Sequence, residues 1–237
     1  MAGNVSNWVE TTNVTSYGGR KTVTYFLCQD KAALLYLINM GCIELNVWLS
    51  HVPTILVPNY AVIDIDPGNL AFSKVISSAR IIQRLFEKLE IESFCKTSGG
   101  RGIHIYLATD GKAAFSDCQK FAELVGKFLK IEMPGNTSLD RSPLVRRDKI
   151  YIDALQNRKG QTMASIYCVR PRVGGTVSTP IKRSGLTTKL DPAKFTLKTI
   201  PARLAKGGDL WAKINNVQHD ILALNKILAG IIEGRKS

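Results

Sequence analysis

The chain has 237 residues, of which 32 are Lys or Arg and 19 Asp or Glu, a net charge of +13; 45% are hydrophobic. That balance excludes fibrous and low-complexity chains, and a chain of this length can bury a full core without staples. The five cysteines (Cys28, Cys42, Cys95, Cys118, Cys168) are scattered with no CxxC pair, which argues against structural zinc and for a reduced, cytoplasmic protein, and no apolar run reaches the length of a membrane span.

In chain order, residues 1–20 read as irregular and flexible, without a signal-peptide core. Thr22 to Cys28 is rich in β-branched and aromatic residues and predicts a strand; Asp30 can cap a helix from Lys31 to Met40, ended by Gly41. Ile43 to Leu49 alternates like a strand, and Tyr60 to Ile65 predicts another after a loop holding Pro53 and Pro58. Pro67-Gly68 turns into a long amphipathic helix, Leu70 to Leu89, with Val75, Ala79, Ile82 and Phe86 on one face. Strands at Ser93–Lys96 and Ile103–Ala108 flank a glycine turn, and a second helix spans Ala114 to Ile131. Residues 132–148 read as a polar, basic connection and as the place for any boundary between lobes. Strands follow at Lys149–Ile152, Ala164–Val169 and Val177–Ile181; residues 182–210 read as basic and short-structured, and a last helix spans Val217 to Ile232. The order is that of an α+β fold, taken as a single domain over 1–237. Ile232-Glu233-Gly234-Arg235 looks like a protease-site remnant, which would make 232–237 a tag.

The positive charge is uneven. Residues 139–213 hold 16 of the 32 basic residues against five Asp and no Glu. A solvated basic face is the plain account; an excess this clustered points to a polyanion, nucleic acid first.

Three constellations carry chemistry. Asp64 and Asp66 sit two apart at the end of an apolar run, so on a strand both carboxylates share a face and repel unless a cation lies between them. Asp153 ends a second apolar run, and three convergent carboxylates could hold two Mg²⁺ or Mn²⁺ ions for phosphoryl displacement. The alternative is that Asp66-Pro67-Gly68 is a turn and Asp153 a helix cap. Next, Thr97-Ser98-Gly99-Gly100-Arg101-Gly102-Ile103-His104 offers backbone N–H groups, a hydroxyl, a guanidinium and an imidazole, which suit a triphosphate; a glycine hairpin and a core histidine are the alternatives. Finally, Arg146, Arg147, Gln156, Asn157, Arg170 and Arg172 either neutralise phosphates and track a template or lie on a solvated surface. Most aromatic residues read as core, while Trp8 and Trp211, in polar contexts, are candidates for base stacking.

The ordered set IELNVW, AVIDIDPG, FCKTSGGRGIHIYL, KIYIDALQN and ASIYCVRPRVGGTVSTPI resembles the polymerase domain of DNA ligase D, the non-homologous end joining repair polymerases of the archaeo-eukaryotic primase superfamily. The resemblance covers about residues 24–212 and implies a primase-polymerase fold, with mixed and antiparallel sheets flanked by helices around a catalytic cleft. By that resemblance Asp64, Asp66 and Asp153 are the catalytic metal ligands. Ser98, Gly99, Gly100, Arg101 and His104 would hold an NTP or dNTP, with Arg146, Gln156 and Arg170 beside its phosphates. The family fills gaps and extends primers, prefers ribonucleotides, usually favours Mn²⁺, and recognises a 5′-phosphate on the downstream strand. It works on broken or gapped DNA, beside a DNA ligase and an end-binding protein. There are departures. Asn46 stands where the family commonly has His, and Arg101 where it often has Lys. Arg183 occupies the place of a usual Trp, and no clear match is found for the N-terminal Lys and aromatic residue that serve the downstream DNA end.

The sequence therefore predicts a template-directed nucleotidyltransferase that adds nucleotides to a primer 3′-hydroxyl. Two rivals stand beside it: a catalytically weak DNA-end-binding module that docks a ligase or end-binding partner, and a primase that starts chains unaided.

Overall fold

The computed structural model describes residues 6–15, 21–146 and 148–235. Arg147, part of the N-terminal segment read as irregular and the last two residues of the segment read as a tag fall outside that set. The chain divides into two compact units, residues 1–45 and 46–237.

In the smaller unit, β1 (Thr11–Thr15) pairs antiparallel with β2 (Thr22–Phe26), so part of the segment read as irregular is a strand. Its TTNVT sequence carries β-branched residues but only one hydrophobic one, so it shows no apolar alternation. Helix α1 (Lys31–Asn39) starts as anticipated: the Asp30 carboxylate accepts a hydrogen bond from Ala33 N at 2.7 Å.

The larger unit is built on a mixed six-stranded sheet. Its elements are β3 (Asn46–Trp48), β4 (Tyr60–Asp66), α2 (Phe72–Lys88), β5 (Phe94–Thr97), β6 (Ile103–Ala108) and α3 (Phe115–Glu132). There follow β7 (Thr137–Ser138), α4 (Pro143–Arg146), β8 (Ile150–Ile152), β9 (Thr162–Ala164), β10 (Pro180–Ile181), α5 (Ile200–Gly207) and α6 (Ile221–Glu233). The strand order is β10-β5-β6-β4-β8-β7, antiparallel except for β7 with β8, and β3 pairs separately with β9.

Alternation along the central strands separates two faces. Ile63, Ile65, Ile103 and Ile105 are wholly buried on one face, where α2, α3 and α6 cover them through residues such as Phe86, Phe121 and Leu228. The other face is split along its length. Toward one end Val62, Phe94 and Tyr106 pack with Leu49, Met163 and Trp211 in a smaller apolar cluster. Toward the other end the same alternation presents Asp64, Asp66, Lys96 and His104.

Several expectations need correction. Trp211 does not serve as an open stacking surface: it is buried against Phe94 and Tyr106, with Nε1 donating to Cys95 O. The basic segment 182–210 contains helix α5, and the connection 132–148 contains β7 and α4 inside the larger unit. Of the strands anticipated at 43–49, 164–169 and 177–181, β3 keeps only Asn46–Trp48, β9 lies earlier at Thr162–Ala164, and β10 keeps only Pro180–Ile181, since only two or three residue pairs form in each ladder. Ile232, in the segment read as a cleavage remnant, is buried in the core at the end of α6.

Candidate functional site

The first part of the site is a row across three strands. Register places Lys96 of β5 beside His104 of β6, and His104 beside Asp64 of β4. Their relative exposures are only 1%, 5% and 6%. His104 Nε2 stands 3.3 Å from Asp64 Oδ1. That is contact distance, but the alignment falls short of a hydrogen bond, and among the described residues Asp64 Oδ1 and His104 Nδ1 have no hydrogen-bonding partner. Burial, then the charges of Asp66 and Asp153, push the Asp64 carboxyl well above the usual range, with Lys96 and Arg170 opposing. Burial and Asp153 raise Asp66 against the pull of Arg146 and Arg101. Burial, reinforced by Lys96 and Arg170, holds the His104 imidazole well below its ordinary value and therefore neutral. Burial also lowers Lys96 to about 7, against the attraction of Asp64.

Lys96 was not among the residues singled out from the sequence, and it joins three parts of the site. Its ammonium donates to Ala164 O at 2.8 Å and to Ser178 Oγ at 2.7 Å; Ser178 Oγ donates in turn to Thr97 O at 3.0 Å. Ala164 pairs with Asn46, so Lys96 ties the glycine turn to β9 and to the segment that carries Arg170. A lysine in the alternating run FCKT was the only local signal.

Asp153 joins the two other aspartates only in part. Its N–H donates to Asp64 O at 3.0 Å, which continues the strand pairing. Its carboxylate oxygens accept from Tyr151 Oη, Leu155 N and Gln156 Nε2 at 3.1–3.2 Å, capping the short 3₁₀ turn Ala154–Asn157. The cap alternative is thus realised, while the charge is still felt by Asp64 and Asp66. Among the described residues no three His, Cys, Asp or Glu side chains form a preassembled metal-binding group. What fits a divalent cation is the Asp64–Asp66 pair: a buried carboxylate and a half-buried one that repel each other, the first with an oxygen lacking a donor among the described residues.

The glycine turn is held from within. Ser98 Oγ accepts from Gly100 N at 3.1 Å and Gly102 N at 3.0 Å, so these two amides serve the turn and are not offered to an anion as the sequence implied. Gly99 has φ +71°, and a Cβ there would lie 2.5 Å from Arg170 Cγ. A Cβ on Gly102 would lie 2.8 Å from Ile65 O, beside Asp66. The turn therefore packs Arg170 on one side and the aspartate strand on the other.

Cations line the space between. Arg170 donates to Ser98 O at 3.1 Å and Arg101 to Gly68 O at 2.8 Å. The Arg146 guanidinium lies 3.7 Å from the centre of the Tyr151 ring, and its Nη1 is buried without a hydrogen-bond acceptor among the described residues. These groups enclose a cleft of about 590 Å³. Asp64, Asp66 and His104 line it, as do Ser98, Gly100 and Arg101 of the turn. Asn46, Arg146, Gln156 and Arg170 complete the set anticipated from sequence, whereas Gly99 and Asp153 do not line the cleft. Arg172, anticipated only as one of several cations, does line it, and so does Tyr151.

A model of the LigD primase-polymerase domain matches residues 1–211. The chain belongs to the LigD primase-polymerase family. Among its relatives, the multifunctional non-homologous end joining protein LigD of Pseudomonas aeruginosa is 29% identical over 194 residues, covering 81% of this chain and 23% of the relative. The bifunctional non-homologous end joining protein LigD of Bacillus subtilis is 29% identical over 186 residues, covering 78% of this chain and 30% of the relative. The chain thus spans less than a third of the length of these two LigD proteins. In fold it is similar to the polymerase domain from Mycobacterium tuberculosis ligase D, solved in complex with DNA, with a TM-score of 0.81 at 23% identity over 92% of this chain and 78% of that one. The mixed-sheet α+β fold expected of a LigD primase-polymerase domain is the one observed. No helix among the described residues is long and apolar enough to cross a membrane.

Proposed function

We propose that this chain is a metal-dependent, template-directed nucleotidyltransferase that adds ribonucleotides or deoxyribonucleotides to a primer 3′-hydroxyl during end joining or gap filling. The observation that carries this reading is a single cleft of about 590 Å³ with carboxylates on one strand and guanidinium groups around them. Asp64 and Asp66 would hold one divalent ion, and Asp153, whose oxygens cap the 3₁₀ turn, would have to release that cap to join them around a second. When bound, such ions supply activation of the attacking oxygen and stabilisation of the leaving one. Arg101, Arg146, Arg170 and Arg172 bind the triphosphate of the incoming nucleotide as the hard, multiply charged anion they match. Ser98 and Lys96 fix the turn and the Arg170 segment at constant distance from the aspartates. His104 stays neutral, facing Asp64 without adding to the cationic charge of the site. Asn46 and Gln156 supply neutral polar contacts at the rim. The partner is primer–template, gapped or broken DNA, and a DNA ligase and an end-binding protein are the cooperating proteins.

One observation favours the rival of a weakly catalytic end-binding module. The Asp153 oxygens are already engaged by the 3₁₀ turn, and no three-carboxylate group is preassembled among the described residues. Extension of a gapped, 5′-phosphorylated duplex, with ribonucleotides and deoxyribonucleotides each in Mg²⁺ and Mn²⁺, separates the two. Incorporation that Asp64→Ala abolishes while DNA binding is retained is the expected result. DNA binding without incorporation under any of these conditions establishes the rival.

A further inference from the structure

A second cleft, of about 530 Å³, lies at the β10 edge of the sheet and shares no residue with the first. Its floor is apolar, made by Pro180, Ile181, Leu190, Leu204 and Leu210. Two aromatic rings, Tyr167 and Phe195, are half-buried in its wall. The rings are fixed by polar contacts: Tyr167 Oη donates to Asp209 at 2.8 Å, and the Arg203 guanidinium sits 5.1 Å from the Phe195 ring centre while donating to Pro180 O. The rim carries Lys182 and Lys206, both exposed, and neither makes an ion pair among the described residues. Two carboxylates adjoin lining residues in sequence: Asp209 is engaged by Tyr167 Oη and Trp211 N, and Asp191, beside Leu190, accepts from Ala193 N at 3.0 Å. The neighbouring Arg183 is paired with Glu87.

An apolar floor with fixed rings and a cationic rim matches one kind of polyanion. A duplex stacks its base faces inward and offers phosphates, sugars and groove edges, but no free base face along its length. A single strand offers both base faces, which stack on aromatic and apolar surfaces, and phosphates spaced along one edge. The charge imbalance of residues 139–213, 16 basic against five acidic, favours nucleic acid over an acidic peptide because the same stretch supplies Arg146, Arg170 and Arg172 to the first cleft. We infer that the second cleft is a separate site for single-stranded DNA, in which bases lie on the apolar floor and phosphates meet Lys182 and Lys206. The identity of the strand rests on the proposed polymerase function, in which a tail or displaced strand accompanies a gapped duplex.

The test uses the full chain and fluorescence anisotropy on one gapped duplex made with and without a single-stranded tail. The wild type binds the tailed form more tightly. In the double variant Lys182→Ala/Lys206→Ala that advantage disappears, and on the tailed form the slope of log K against log salt becomes shallower by about 1.4, two single-strand phosphates at about 0.7 each. Asp64→Asn keeps the tail advantage while losing extension, so failure of the polymerase reading and failure of this site are told apart. Circular dichroism confirms that the exposed-lysine variant is folded. A wild type indifferent to the tail, or a double variant with the advantage intact, overturns the inference. So does a polyglutamate peptide that binds through Lys182 and Lys206 while tail binding is unaltered, which would assign the cleft to an acidic protein segment.

Discussion

The two faces of β4 and β6 are made by alternate residues of the same short strands and do opposite work. On one, Ile63, Ile65, Ile103 and Ile105 are wholly buried under helices. On the other, one residue out of phase, Asp64 and His104 are almost as deeply buried but incompletely hydrogen-bonded. The first face is stable because nothing polar is removed from water. The second is costly because two carboxylates are desolvated beside each other. The contrast teaches where stability and chemistry reside: the apolar face holds the sheet rigid, and that rigidity keeps the repelling pair of Asp64 and Asp66 together.

The comparison can be broken first on the apolar side. Ile63→Ala opens a cavity beneath the sheet and is expected to cost about 2–5 kcal/mol in urea unfolding, while the surviving folded fraction keeps its nucleotide affinity. A smaller effect that reaches both stability and function is expected from Lys96→Met. Ala164 O and Ser178 Oγ lose their donor, worth about 1–3 kcal/mol, and the loosened Arg170 segment raises KM for nucleotide more than it lowers kcat. Unaltered KM in that variant would show that the lysine is structural alone. Gly99→Ala adds two strains: holding a side chain at φ +71° costs about 1–2 kcal/mol, and its Cβ would lie 2.5 Å from Arg170 Cγ and 2.8 Å from Ser178 N, so the Arg170–Ser178 segment shifts and triphosphate binding weakens in a fluorescent-nucleotide titration.

Much of this face was legible from local pattern. The AVIDID run places Asp64 and Asp66 together by alternation alone, β6 matches its expected span residue for residue, and Asp30 caps α1 as its position implies. What stayed hidden depends on contacts distant in sequence. Lys96 looks like an ordinary strand lysine until Ala164 and Ser178 close over it. Asp153 is the exception: Tyr151, Leu155 and Gln156, two or three residues away, engage its oxygens, as the helix-cap alternative legible in the sequence implies. Helix α5 had Pro201 near its start and Gly208 just past its end, but eight residues in a basic segment gave too little periodicity to stand out. The short pairs β3–β9 and β10–β5 hold only a few residues each, below the length at which alternation is informative.

In the proposed function the polar face is built around a divalent cation held by Asp64 and Asp66. The direct measurement is thermal unfolding of the wild type and of Asp64→Asn, with and without Mn²⁺ and in the absence of DNA. Without metal, the variant is expected to be more stable by about 1 kcal/mol, because a buried, repelled charge has been removed. With Mn²⁺ the wild-type Tm rises and that of the variant does not. Equal Mn²⁺ shifts in both proteins, or a variant less stable than the wild type without metal, would contradict the account.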